Sequence, residues 1–94
     1  MKKVGKNLRS LWTAVEADLL RARNTLPAGA GTHRAVFEFQ HYLEHNELEL
    51  ACDMLETYAK DCSVSQDFWF ALRDAAAKME LPDRAGRYEE GEQG

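Results

Sequence analysis

The stretch His33 to Asp61, HRAVFEFQHYLEHNELELACDMLETYAKD, decides the fold. Its apolar residues recur at three- and four-residue steps: Val36, Phe39, Tyr42 and Leu43 with Ala35 behind them, then Leu48, Ala51, Cys52, Leu55, Tyr58 and Ala59. That is the period of a helix with one face in a core, whereas a strand would alternate by two. Asn46 punctuates the middle. It suits the left-handed residue that ends a helix, and it equally suits the N-cap of a new one, with Glu49 completing an Asn-x-x-Glu capping box. The spacing predicts two helices, 33–45 and 47–60, meeting at a tight corner, because one continuous helix would rotate its apolar stripe out of line.

The same period extends in both directions. Leu8, Leu11, Trp12, Val15, Leu19 and Leu20 predict a helix over 4–24, which the run Thr25-Leu26-Pro27-Ala28-Gly29-Ala30-Gly31 ends: Pro27 lacks an amide donor and biases Leu26 away from helical angles. Thr32 is the expected N-cap of the next helix. After Cys62, Ser63 or Ser65 caps a fourth helix over 66–81; with Ser65 as cap, Val64 and Trp69 occupy the positions of a hydrophobic staple. This helix offers Phe68, Trp69, Leu72, Ala75, Ala76 and Met79 to the core, and Pro82 is expected to stop it. Residues 83–94 have few candidates for burial and read as a flexible acidic tail. The chain is therefore expected to be a single all-α domain over residues 1–94, a compact bundle of about four helices.

The chain has 94 residues, 45% of them hydrophobic and 30% charged, with a formal net charge of −4. This length allows one small core, and no apolar run approaches the ~18 residues of a membrane span. The basic start resembles the first part of a signal peptide, but no unbroken apolar core follows, so a cytoplasmic protein without membrane association is expected. Cys52 and Cys62 lie ten apart; on one helix their Cα atoms would be ~15 Å apart, well beyond disulfide reach. Two free thiols are expected.

Charge is distributed unevenly. Residues 1–34 sum to +5, residues 35–67 to −7 and residues 68–94 to −2. An acidic middle would repel phosphate backbones and steer a basic protein toward itself; the alternative is that these carboxylates are the solvated sides of two helices. The expected exposed line on the third helix is Glu49, Asp53, Glu56 and Lys60. Lys2, Lys3, Lys6 and Arg9 have no interleaved aromatics and no recognition-helix signature, which argues against direct nucleic-acid binding.

His41-Tyr42-Leu43-Glu44-His45 matches H-x-x-E-H, in which two histidines one helical turn apart can share a zinc ion and the glutamate acts as base. A catalytic site also needs a third ligand and a cleft. His33, Glu38 and Cys52 are candidates that spacing does not fix, so neither a metal nor another cofactor is expected. There is no Gly-x-Ser-x-Gly elbow, and Ala28-Gly29-Ala30-Gly31 lacks the Lys-Ser/Thr ending of a phosphate loop. No catalytic constellation converges, and the chain is not expected to be an enzyme. Phe68, Trp69 and Phe70 are consecutive on one helix and cannot all enter one small core. Phe70 is the one expected at the surface, either as a binding anchor or as a singly exposed apolar residue.

Tyr42-Leu43-Glu44-His45-Asn46-Glu47-Leu48-Glu49-Leu50-Ala51, followed by Met54-Leu55 and later by Ser65-Gln66-Asp67-Phe68-Trp69-Phe70-Ala71-Leu72, resembles the small helical immunity proteins of bacterial polymorphic toxin systems, those of contact-dependent growth inhibition and of Maf-type toxins. The resemblance covers a little under half the chain. It implies a cytoplasmic antitoxin that binds the C-terminal domain of a cognate toxin, often a basic nuclease, and inhibits it stoichiometrically. The toxin-binding residues it implies are Glu38, His41, Glu44, His45, Glu47, Glu49, Asp53 and Glu56, with Tyr42 or Phe70 as apolar anchors. From a different class, a helical adaptor or homo-oligomerisation domain also fits the residues, and the oligomeric state is left open.

Overall fold

The computed structural model describes residues 4–89, with side chains from residue 9 onward. Every regular element among them is helical: α1 (Val4–Asn24), a 3₁₀ turn (Ala28–Thr32), α2 (Arg34–Glu44), α3 (Leu48–Asp61), α4 (Gln66–Lys78) and α5 (Pro82–Glu89). α1 packs chiefly on α4, α2 on α3 and α4 on α5, with a smaller contact between α1 and α3. One buried cluster joins them, built from Val15, Leu19 and Ala22 of α1, Phe39 of α2, Leu55 of α3 and Phe68, Leu72 and Ala75 of α4.

Local chemistry explains where the helices begin and end. α1 closes with the Thr25 hydroxyl donating to Ala22 O at 2.7 Å, and Pro27 then opens the 3₁₀ turn. The cap of α2 is His33 and not Thr32: the His33 Nδ1 accepts from the Ala35 amide at 3.0 Å, while the Thr32 hydroxyl donates to Gly29 O within the turn at 2.9 Å. A 3₁₀ turn holds Thr32 one residue too early to cap. At the next corner Asn46 takes the left-handed conformation, φ 61°, and the Glu47 amide donates back to Tyr42 O at 2.9 Å. This is the helix-ending use of asparagine. The N-cap of α3 is Glu47, without a side-chain cap, so the alternative capping box through Asn46 does not form. The Ser65 hydroxyl accepts from the Phe68 amide at 3.3 Å and starts α4 as its sequence predicts.

Three further expectations are corrected. Pro82 does not terminate the ordered chain: it stands at the first position of α5, where its fixed φ and missing amide cost nothing. Residues 83–89 of the expected flexible tail are therefore helical, and Tyr88 is fully buried; residues 90–94 lie outside the described residues. The second correction concerns Trp12, placed by its spacing on the buried stripe of α1 yet 44% exposed; the side chain of Leu8 lies outside the described residues. The third is Asp53 and Glu56, which α5 covers, so they do not form an exposed line with Glu49 and Lys60.

Asp18 is the one charged residue in the buried set among the described residues, at 6% exposure. Lys78 of α4 donates to it at 2.7 Å and Arg21 at 3.1 Å, and Arg21 reaches on to Asp74 at 2.8 Å. A buried carboxylate without such partners would be strongly destabilising, so this bridge fixes how α1 lies on α4. No helix among the described residues is long and apolar enough to cross a membrane.

Candidate functional site

The acidic residues of the middle segment fall into three environments. His41, Glu44, His45, Glu47 and Glu49 are exposed around the α2–α3 corner. Glu44 accepts from Gln40 at 3.3 Å, and the imidazoles of His41 and His45 lie 4.5 Å apart, with His45 Nδ1 against His41 O at 2.9 Å. Among the described residues none of the carboxylates of Glu44, Glu47 and Glu49 joins an ion pair. The tight Asn46 turn is what brings them together, because it leaves only three residues, 45–47, between the helices.

Asp53 and Glu56, one and two turns further along α3, face α5. Arg84 forms a close ion pair with Asp53; Arg87 donates to Glu56 at 3.3 Å, and the Tyr88 hydroxyl forms a short hydrogen bond to the same carboxylate. The Tyr88 oxygen also lies 3.5 Å from Cys52 Sγ, and its ring stacks on Trp69 at 5.6 Å. Burial pushes the Tyr88 phenol well above its ordinary range, with Cys52 and Glu56 adding to the effect. Burial likewise raises the Cys52 thiol, which makes it a poor nucleophile.

The remaining sequence-predicted residues stand elsewhere. Glu38 pairs with Arg34 at 3.4 Å and lines a shallow cleft with His33, Met54 and Asp61. Tyr42 is half-buried against the core. Phe70 is 39% exposed, as a run of three aromatics requires, but the Arg73 guanidinium lies over its ring at 5.0 Å. The structure thus gathers His41, Glu44, His45, Glu47 and Glu49 and separates them from Glu38, Asp53, Glu56 and Phe70.

As for metal chemistry, among the described residues no cluster of three His, Cys, Asp or Glu side chains could hold an ion. His33, considered as a third ligand for the His41–His45 pair, instead contacts Asp61 through Nε2 at 3.2 Å, and Cys52 is buried beneath α5.

Periodicity does not reveal a cleft of about 440 Å³ beside the corner, lined by Leu11, Trp12, Val15, Leu48, Met79 and, on its polar side, Asn46, Glu49, Lys78 and Glu80. Phe37, 71% exposed on α2, is a further surface aromatic outside the expected anchors Tyr42 and Phe70. A signal for Phe37 was present: it lies outside the Val36, Phe39, Leu43 stripe. The cleft left no signal, because it forms where three separate segments meet.

Compared with protein-family models, with curated proteins and with solved structures, the chain has no significant match.

Proposed function

We propose that this chain is an immunity protein: a cytoplasmic binding protein that neutralises a cognate bacterial toxin domain, a basic nuclease, by one-to-one contact through the α2–α3 corner. The observation that carries the reading is the group of three carboxylates, Glu44, Glu47 and Glu49, which are exposed around one tight turn beside His41 and His45 and join no ion pair among the described residues. Carboxylates already paired within a chain contribute little to a partner; unpaired ones on a rigid corner attract a cationic cleft and fix its orientation. The resemblance of the corner sequence to polymorphic-toxin immunity proteins supports the same assignment. The proposed electrostatic contact, His41, Glu44, His45, Glu47 and Glu49, is narrower than the resemblance implies, because Glu38 is paired with Arg34, and Asp53 and Glu56, held by α5, serve the fold.

The test is co-expression with the toxic domain encoded beside this chain, followed by affinity measurement across a salt series. The expected result is rescue of growth, a one-to-one complex and affinity that falls with ionic strength. Joint reversal at Glu44, Glu47 and Glu49 to Lys should abolish rescue while the protein remains folded. Failure to rescue growth overturns the immunity role, and affinity indifferent to both salt and charge reversal overturns the acidic-corner mechanism.

A second reading, homo-oligomerisation as an adaptor, draws on the exposure of Trp12, Phe37, Leu50 and Phe70. It requires concentration-dependent self-association, and a monomer by light scattering removes it.

A further inference from the structure

We propose that the cleft between α1, the α2–α3 corner and the end of α4 is a docking groove for a partner polypeptide segment that presents a bulky apolar side chain flanked by Lys or Arg. The proposal rests on the basic-partner reading of the corner and gives that partner a second, apolar point of attachment.

Three features support it. The first is the lining: Leu11, Val15, Leu48 and Met79 supply apolar surface, and Trp12 stands at the cleft with 44% of its surface exposed. Tryptophan at the edge of an apolar concavity is a frequent source of binding energy, and a cleft of this size accommodates a large side chain.

The second feature is backbone conformation. The described residues contain two non-glycine residues with positive φ, Asn46 and Glu80, both at 61°, and both line this cleft. Each ends a helix in the same manner: the Glu80 amide donates to Ala77 O at 3.0 Å and that of Leu81 to Ala76 O at 2.9 Å, matching the bonds around Asn46. Glycine or asparagine is the ordinary occupant of such a position. Glutamate adopts it at a cost, and in return a second carboxylate joins Glu49 at the groove.

The third feature is charge. Lys78 also lines the cleft, but its ammonium is engaged by the buried Asp18 at 2.7 Å. With that pair internally compensated, Glu49 and Glu80 leave the groove negative among the described residues, and Glu44 and Glu47 nearby on the corner have the same sign. An apolar occupant with flanking cations is complementary; one with flanking carboxylates is repelled.

The experiment uses ¹⁵N-labelled full-length protein titrated with three synthetic amphipathic peptides: leucine–lysine, leucine–glutamate with the same apolar pattern, and serine–lysine with the same charge. The leucine–lysine peptide is expected to shift the amides of Trp12, Leu48, Glu49, Met79 and Glu80. Trp12→Ala, an exposed position that leaves the core intact, should weaken that binding about tenfold, the scale of a single hot-spot residue, and leave serine–lysine binding unchanged. Phe37→Ala, outside the groove, should leave both unchanged. Equal binding of the leucine–glutamate peptide, or shifts that avoid the groove, would overturn the proposal. If the lysine peptides shift only Glu44 and Glu47, the groove is refuted and the basic-partner reading survives. Entry of the leucine–lysine peptide with those corner amides unmoved supports the groove and refutes the corner. A dimer that Trp12→Ala disperses would assign the groove to a second copy of the chain and overturn the proposal.

Discussion

α3 carries carboxylates of the same kind in two opposite situations. Near its start Glu49 is exposed and outside any ion pair among the described residues, whereas Asp53 and Glu56 are half-buried under Arg84, Arg87 and Tyr88 of α5. The difference arises from what the neighbouring chain supplies. At the corner the turn brings only further acids and two histidines; along the middle of α3, Pro82 starts a short helix whose basic face lies on the carboxylates. A negative residue in the sequence is therefore a binding group in one place and part of the fold in the other, and its pairing decides which.

The comparison predicts unequal responses to mutation. The largest belongs to Tyr88→Ala, which removes a fully buried ring stacked on Trp69 and should cost about 3 kcal/mol in urea denaturation, the low end for loss of a large buried aromatic. Its folded-state phenol is raised, so its contribution is complete below the unfolded pKa of about 10 and is lost as pH rises beyond it. Tyr88→Phe should consequently be less sensitive to alkali than the parent protein. Next comes the pair Glu56→Gln and Glu49→Gln. The first weakens charged bonds to Tyr88 and Arg87 and should cost about 2 kcal/mol, whereas the second should stay within about 0.5 kcal/mol. Equal costs for the two would erase the distinction between the ends of α3.

How far the sequence reveals these regions follows from the range of the interactions. Helix period identifies Val36, Phe39 and Leu43 in α2 and Leu48, Leu55 and Tyr58 in α3, because their burial repeats every turn and each turn repeats the signal. Asn46 and Ser65 are legible because capping is a contact within a few residues. α5 is harder: PDRAGRYE offers only Ala85 and Tyr88 for burial, and its docking depends on Asp53 and Glu56 some thirty residues earlier, a pairing that no local pattern encodes. Asp18 is hidden for the same reason, since its partner Lys78 lies sixty residues away. The acidic corner is legible as composition, but which of its acids are unpaired becomes visible only once α5 is in place.

The two helix ends offer a finer comparison. Asn46 and Glu80 share one conformation, yet only asparagine is an ordinary residue for it. Glu80→Gly should therefore stabilise the fold by about 1 kcal/mol, and Asn46→Gly by clearly less, read as midpoint shifts in the same denaturation assay. If Glu80→Gly brings no gain, the glutamate side chain already compensates its backbone, and the strain argued for the groove is absent.

A modest effect is expected at the seam between α1 and α4. Burial works to raise the Asp74 carboxyl, but hydrogen bonds from Arg21 and Arg73 outweigh it and hold the group below the usual range. A depressed carboxylate contributes its stability above its unfolded pKa of about 3.9 and loses it as pH falls through the folded value. Asp74 is partly exposed and solvent screens its pairs, so the contribution should not exceed about 1 kcal/mol. Asp74→Asn should accordingly flatten the acid limb of the stability profile slightly while leaving the alkaline limb, which Tyr88 governs, in place. A change in the alkaline limb on this substitution would mean that the α1–α4 seam and the α5 latch unfold as one unit, and the two halves of the comparison would then have to be treated as a single cooperative structure.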